Sequence, residues 1–201
     1  MMNTIEFSDS VFCIGNKIKN SPLSHFSQRK KNQRVDVKRN EEIYFIETGK
    51  ISFYRVADDL LTISMTAPCV VGVAQMLFQY QTHYIRCDTN CTMWIIDSND
   101  ANILFTTENI WMHAFNILAS LTKQYFEREY MTLQKSTREI ILHHLKFIWE
   151  MREEERALTS IYNFILSRNH LSRSSVHKIV SELEIEGKIK TSKGKLIYLQ
   201  L

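Results

Sequence analysis

The spacing of apolar residues changes once along this chain, and the change divides it. Up to about residue 105 they come in short alternating runs bounded by turn residues. From Thr107 on they recur every three or four positions. A chain of this kind folds as antiparallel strands followed by packed helices.

The stretch EEIYFIETGKISFYRV predicts two strands joined by a tight turn at Glu47-Thr48-Gly49-Lys50. LLTISMTAPCVVGVA continues as strand, breaks at Pro68 and ends near Gly72. THYIRCDTNCTMWIIDS gives two more strands around Asp88-Thr89-Asn90. Short strands at this spacing indicate an antiparallel sandwich or barrel. Residues 1 to about 40 are polar and weakly patterned. Within them QRKKNQR, with Lys38 and Arg39, reads better as a solvated loop than as a binding patch.

TTENIWMHAFNILASLTKQYFEREYMTLQ predicts one helix of about 25 residues capped by Thr106 or Thr107. Its first half is apolar nearly all round, so it needs cover on more than one side. Ile110 and Ile117, with Ala114 and Leu121, fit a seven-residue repeat, which points to a seam with a second copy. Ser136 caps the next expected helix, STREIILHHLKFIWEM, in which His143 and His144 read as packed or solvated. REEER is a charged connection, and TSIYNFILSRN is a further helix capped by Thr159.

The strongest local signal is residues 170–201, HLSRSSVHKIVSELEIEGKIKTSKGKLIYLQL. Val176, Ile179, Val180 and Leu183 form one apolar face, Ser172 is a good N-cap, and Leu171 can staple onto Val176. Arg173, Ser174, His177, Lys178 and Ser181 fall on the opposite face. The turn from Arg168 to Leu171 is short, so this helix and the one before it match a helix-turn-helix. After Gly187, two strands joined at Lys193-Gly194 form a small basic wing. Arg173, Ser174, His177 and Lys178 are placed to reach base edges in a major groove. Thr159, Arg168, Ser172, Lys193 and Lys195 are placed for phosphates. From Arg156 on, eight Lys or Arg stand against three Glu, although the whole chain is only +3. A locally basic end suits an acidic polymer such as double-stranded DNA.

SRSSVHKIVSELEIEGKIKTSKGKLIYL resembles the winged helix-turn-helix end of the CRP/FNR superfamily of bacterial transcription regulators. That family carries Ser-Arg-x-x-Val-x-Arg on its recognition helix. EEIYFIETGKISFYR resembles the family's strand–glycine–strand signature, and the long helix resembles its dimerisation helix. APCVVGVA, WMHAF and SKGKLI resemble a smaller branch linked to hydrogen-peroxide resistance. The resemblance implies an α+β fold in three parts. Residues 1–105 would form a cyclic-nucleotide-binding-like antiparallel β-barrel, 106–134 a long dimerisation helix and 135–201 a winged helix-turn-helix domain. It implies a homodimer on near-palindromic DNA, with RNA polymerase as a further partner and the bacterial cytoplasm as its place.

Arg173, Ser174 and Lys178 match the family's base-reading positions. Lys178 stands where Arg is usual and Ser174 where Glu is usual, so the usual half-site is not expected. In the barrel, Gly72-Val73-Ala74 replaces the Gly-Glu-Leu of cyclic-nucleotide binders. Arg86, in QTHYIRC, lacks the Ser-Ala that follows the family's phosphate-binding Arg. No cyclic nucleotide is therefore expected, and an anion without an Arg clamp would be an unpaired buried charge.

Other classes find less in the sequence. GxSxG, P-loop, HExxH and GxGxxG motifs are absent, CxxC is absent, and Cys87-x-x-x-Cys91 lacks a second pair at zinc spacing, so neither an enzyme nor a metal or other cofactor is expected. No apolar run approaches the ~18 residues of a membrane helix. Cys13, Cys69, Cys87 and Cys91 read as buried free thiols, with redox sensing as the minor alternative. The competing function is a ligand- or redox-sensing interaction module that has lost direct DNA binding.

Overall fold

A computed structural model describes residues 6–36, 42–77 and 81–200. Contacts divide the chain into two compact units, Met1–Tyr125 and Phe126–Leu201, and the division falls inside a helix.

The first unit opens with helix α1 (Phe7–Lys19), then strands β1 (His25–Arg29), β2 (Arg34–Val35), β3 (Glu42–Thr48), β4 (Lys50–Arg55), β5 (Leu61–Thr66), β6 (Cys69–Val71), β7 (His83–Cys87) and β8 (Cys91–Asp97). They make two four-stranded antiparallel sheets, ordered β1-β8-β3-β6 and β2-β7-β4-β5. Tyr44, Ile46 and Met93 from the first sheet meet Ile51, Phe53 and Ile85 from the second in one core. The expected antiparallel β fold is thus built as two facing sheets. At the turn between β3 and β4, Gly49 has φ +102°, and a Cβ there would lie 2.5 Å from the Asn90 carbonyl oxygen.

The first sheet is buried on both faces, which explains why EIYFIET is apolar almost throughout. Ile43 and Phe45 point away from the sheet-to-sheet core, into a second cluster with Val11, Ile14 and Ile18 of α1. Gly15 lets that helix lie close, since a Cβ there would meet the Phe45 ring at 2.4 Å. The outer face of the second sheet is different. Arg86 stacks over Tyr54 at 4.2 Å, Arg34 over Tyr84 at 3.8 Å, and the two tyrosines stack at 5.4 Å.

Several expectations are corrected. The N-terminal segment is not unpatterned: it holds α1, β1 and β2, while Lys38 and Arg39 lie outside the described residues. An unexpected helix, α2 (Ser98–Thr107), precedes the expected long one, which is α3 (Trp111–Thr132) and starts four residues after Thr107. Thr106 and Thr107 do not cap it. They close the last turn of α2, where their hydroxyls donate to the Asn102 and Ile103 carbonyls. Asn109 follows with φ 54°, the left-handed residue that ends a helix.

The seam residues are also corrected. Ile110, Ala114 and Ile117 are no more than 5% exposed and pack with Phe105 and Ile14 in the first unit's own core, and Leu121 packs partly against it. Ile110, Ala114 and Ile117 have no surface to offer a second copy. The exposed apolar face of α3 lies on the other side, at Met112, Phe115 and Phe126.

The second unit continues with α4 (Thr137–Glu150), α5 (Glu153–Leu158), α6 (Ile161–Leu166), α7 (Arg173–Ile185) and the hairpin β9 (Ile189–Ser192) and β10 (Lys195–Leu199). Ser136 caps α4 as expected, its side chain accepting from the Glu139 N–H. REEER is not a bare connection, because it supplies most of α5. The cap of α6 is Ser160, not Thr159. Ile141, Leu145, Ile161, Ile165, Val176, Val180, Leu183 and Leu196 form its core.

Candidate nucleic-acid interface

Helix α7 starts where its sequence says it should. Ser172 accepts a hydrogen bond from the Ser175 N–H at 3.1 Å, satisfying a donor that the first turn would otherwise leave open. Val176, Val180 and Leu183 are buried and Ile179 partly so. Arg173, Ser174, His177, Lys178 and Ser181 are all exposed. Among the described residues the side chains of Arg173, Lys178 and Lys193 make no hydrogen bond or ion pair. Three cations thus stand with their donors free on α7 and at the tip of the hairpin.

The other side chains singled out by sequence are more committed. The Ser174 hydroxyl lies 3.0 Å from that of Ser172. The His177 ring stacks on Tyr162 at 4.0 Å and 22° while keeping an outer edge exposed. Thr159 is turned inward: its hydroxyl donates to the Glu155 carbonyl at 2.8 Å and ends α5. Arg168 folds back over the Phe164 ring at 3.7 Å and donates to the Phe164 carbonyl. Lys195 donates to the Leu158 carbonyl. Of the five residues expected at phosphates, Ser172 and Lys193 are left on the exposed surface without such an inward job, although Ser172 also serves as the cap.

What holds this surface in shape was not legible as function. Tyr162 on α6 lies under His177 and within 3.7 Å of the Cβ position of Gly194 in the hairpin turn. Glu184 accepts from both the N–H and the hydroxyl of Thr191, at 3.0 and 2.7 Å, tying α7 to β9. Arg138 of α4 reaches Glu186 at 2.6 Å and Glu182 at 3.6 Å. Lys188, and then Arg138, hold the Glu186 carboxyl below the usual carboxylate range. A charged side chain facing another at helix–helix spacing is the one sequence signal for such ties, and many pairs share it.

His144 is fully buried on α4. Its Nδ1 donates to the Ile140 carbonyl at 2.7 Å and its Nε2 accepts from the Asn169 amide at 3.0 Å. Asn169 sits in the turn between α6 and α7, so the histidine pins that turn. Burial pushes its pKa down to about 4, which keeps the ring neutral.

In the first unit, Arg86 alternates with the inward-facing Ile85 and Cys87 and so lies on the outer face, donating to the Tyr54 hydroxyl. Among the described residues no group of three or more His, Cys, Asp or Glu is placed to hold a metal ion. No helix among them is long and apolar enough to cross a membrane.

Residues 137–201 match the family model for winged helix-turn-helix DNA binding. Over 159 residues the chain is 28% identical to the "Inhibitor of hydrogen peroxide resistance" of Escherichia coli K12, covering 79% of this chain and 76% of that protein. Its fold is that of solved CRP/FNR-type regulators. The c-di-GMP responsive global regulator CLP of Xanthomonas campestris has a TM-score of 0.66 and 15% identity, over 89% of this chain and 95% of that one. A putative transcriptional regulator of the CRP/FNR family from Eubacterium rectale has a TM-score of 0.65 and 14% identity, over 94% and 90%.

Proposed function

We propose that this protein is a sequence-reading transcription regulator that binds near-palindromic DNA as a homodimer. The observation that carries the reading is the set of free donors at Arg173, Lys178 and Lys193 on the outer side of a capped helix and its hairpin. A buried or paired cation cannot also hold DNA, whereas these can. In this reading Arg173 makes a paired hydrogen bond to guanine O6 and N7, and Lys178 reaches a base or phosphate as a point charge. Ser174 and the free edge of His177 lie beside them. Lys193 and Ser172 contact phosphates, which add affinity without sequence information.

The dimer is proposed through the outward face of α3. Met112, Phe115, Ala119, Thr122 and Phe126 recur at alternating steps of three and four, and Phe115 and Phe126 are 63% and 66% exposed. Large apolar side chains in such a row need cover, and a second copy of the same row supplies it. Two recognition helices would then read half-sites about 34 Å apart. Phe115→Glu should convert the dimer to monomer in sedimentation and abolish binding to a palindrome. A dimer that persists in that variant places the seam elsewhere.

The first unit is proposed not to take cyclic nucleotide, because Gly72-Val73-Ala74 supplies no acid and Arg86 is stacked on the outer face. A link to hydrogen-peroxide resistance rests on the relatives' name. The alternative of a thiol switch has less support, since burial pushes Cys69 and Cys87 up to about 12, far from the reactive thiolate.

The test is selection of bound fragments from genomic DNA by the purified protein, with Arg173→Ala in parallel at the same salt. A palindromic motif that blurs in the variant is the expected result. Equal, diffuse enrichment in both would overturn base reading by α7.

A further inference from the structure

Tyr162 of α6 stands where three elements of the second unit meet. Its ring carries the His177 ring of α7, stacked at 4.0 Å and 22°. Its edge lies 3.7 Å from the Cβ position of Gly194 in the hairpin turn. That turn is tied down beside it, because the Ile161 N–H donates to the Gly194 carbonyl at 3.0 Å. Ser160 caps the same helix, accepting from the Asn163 N–H. The tyrosine is thus held by its own helix and by the turn, and His177 rests on a fixed platform. The His177 side chain is exposed, and among the described residues neither ring nitrogen is hydrogen-bonded.

The stack decides what the imidazole can do. A histidine alone on a helix surface moves among several rotamers, whereas one stacked on a fixed ring keeps its plane and turns an edge outward. In either protonation state that ring carries at least one N–H. A donor of fixed plane suits base edges, which lie in the plane of the pair, better than phosphates, which accept from many directions. Burial, and then the Glu184 carboxylate, push the Tyr162 phenol above its usual value against the pull of Arg173, so the platform stays uncharged. His177 follows Arg173 by four residues, on the same side of α7 and about 6 Å further along it. That distance is close to two base-pair steps of about 3.4 Å, so the two side chains address different pairs.

We infer that Tyr162 determines specificity through His177, holding the imidazole edge-on so that a ring N–H donates to N7 of a purine at one position of the DNA site. Tyr162 is the positioning residue, and His177 makes the contact. N7 is the one acceptor that both purines show in the major groove. Cytosine presents a donor there, and thymine sets its methyl group beside O4, away from which a ring of fixed plane cannot tilt. The inference rests on the reading of α7 as the base-reading helix and adds a second position to the one assigned to Arg173.

The test repeats the selection of genomic fragments with the full chain, comparing wild type, His177→Ala, Tyr162→Leu, Tyr162→Phe and Arg173→Ala. One position should hold a purine in wild type and Tyr162→Phe, and any base in His177→Ala and Tyr162→Leu. Arg173→Ala should blur a different position. A 7-deazapurine, which has carbon in place of N7, should then weaken wild-type binding roughly three- to tenfold in gel shifts when placed at the purine position. It should leave His177→Ala and Tyr162→Leu unchanged. Tyr162→Met serves if circular dichroism shows that Y162L has not folded. In the double variant Y162L/H177A the preference should be no looser than in H177A alone. A Tyr162 that only supported the fold would, when lost, weaken all DNA alike and leave the purine preference and the 7-deaza effect in place. That result overturns the inference, and so does a purine preference that survives His177→Ala. Diffuse enrichment by wild type would overturn the reading of α7 itself, and this inference with it.

Discussion

Two surfaces of this protein carry basic side chains, and they use them in opposite ways. On the second sheet, Arg34 and Arg86 lie flat on Tyr84 and Tyr54. On α7 and the hairpin, Arg173, Lys178 and Lys193 touch no acceptor among the described residues. By residue type the two surfaces look alike. The difference is whether the fold already supplies each cation with a partner, and net charge records none of that. The same division runs through the second unit, where Arg168, Lys195 and Thr159 serve backbone carbonyls.

The largest expected effect tests the committed side. His144 is neutral in the fold, with its pKa pushed by burial from 6.5 to about 4. The stability this group contributes is complete above pH 6.5. It falls as pH drops toward 4, because the unfolded chain takes up a proton that the folded chain refuses. The loss should reach roughly 3 kcal/mol. Urea midpoints at pH 7 and pH 4.5, in wild type and His144→Gln, check it, and the two proteins should converge in acid. Parallel pH curves would mean that the histidine is not held neutral.

Next comes the free side. Arg173→Ala should cost about 1–3 kcal/mol on the preferred site, or ten- to a hundredfold in affinity, with unrelated DNA hardly changed. Gel shifts at one salt concentration decide this. A smaller effect follows for Lys193→Ala: all sequences weaken alike, and the slope of log affinity against log salt should fall by about 1. Smallest is Arg86→Leu. Removing its stack on Tyr54 should lower stability by about 0.5–1 kcal/mol and leave DNA affinity within twofold. A large loss of DNA binding in that variant would break the contrast between the two surfaces.

Much of the interface was readable because its signals are local. Ser172 caps, Val176, Val180 and Leu183 keep helical spacing, and Lys193-Gly194 turns, with φ 50° and 73°. What failed depended on contacts far apart in sequence. In FSDSVFCIGNKIK the stripe of Val11, Ile14 and Ile18 is diluted by Ser, Cys and Gly, and Gly15 makes sense only beside Phe45. The end of α2 hid because Thr106 and Thr107 resemble start signals, while the helix is closed by Asn109 in a left-handed turn. The first half of α3 is apolar nearly all round, so the sequence could not say which face the first unit would cover. It covers Ile110, Ala114 and Ile117 and leaves Met112 and Phe115 outside. Arg168 and Thr159 look like phosphate ligands until the carbonyls beside them are known.

The burial pattern of α7 bears on how such a protein changes over generations. Most of what keeps the helix in place lies on one side or at its ends: Val176, Val180, Leu183, the Ser172 cap, and the grips of Glu184 and Glu186. The Arg173 and Lys178 side chains support none of it. A duplicated copy could therefore exchange these two residues and acquire a new target while folding as before. Diversification of a regulator would then meet little resistance from the need to remain folded.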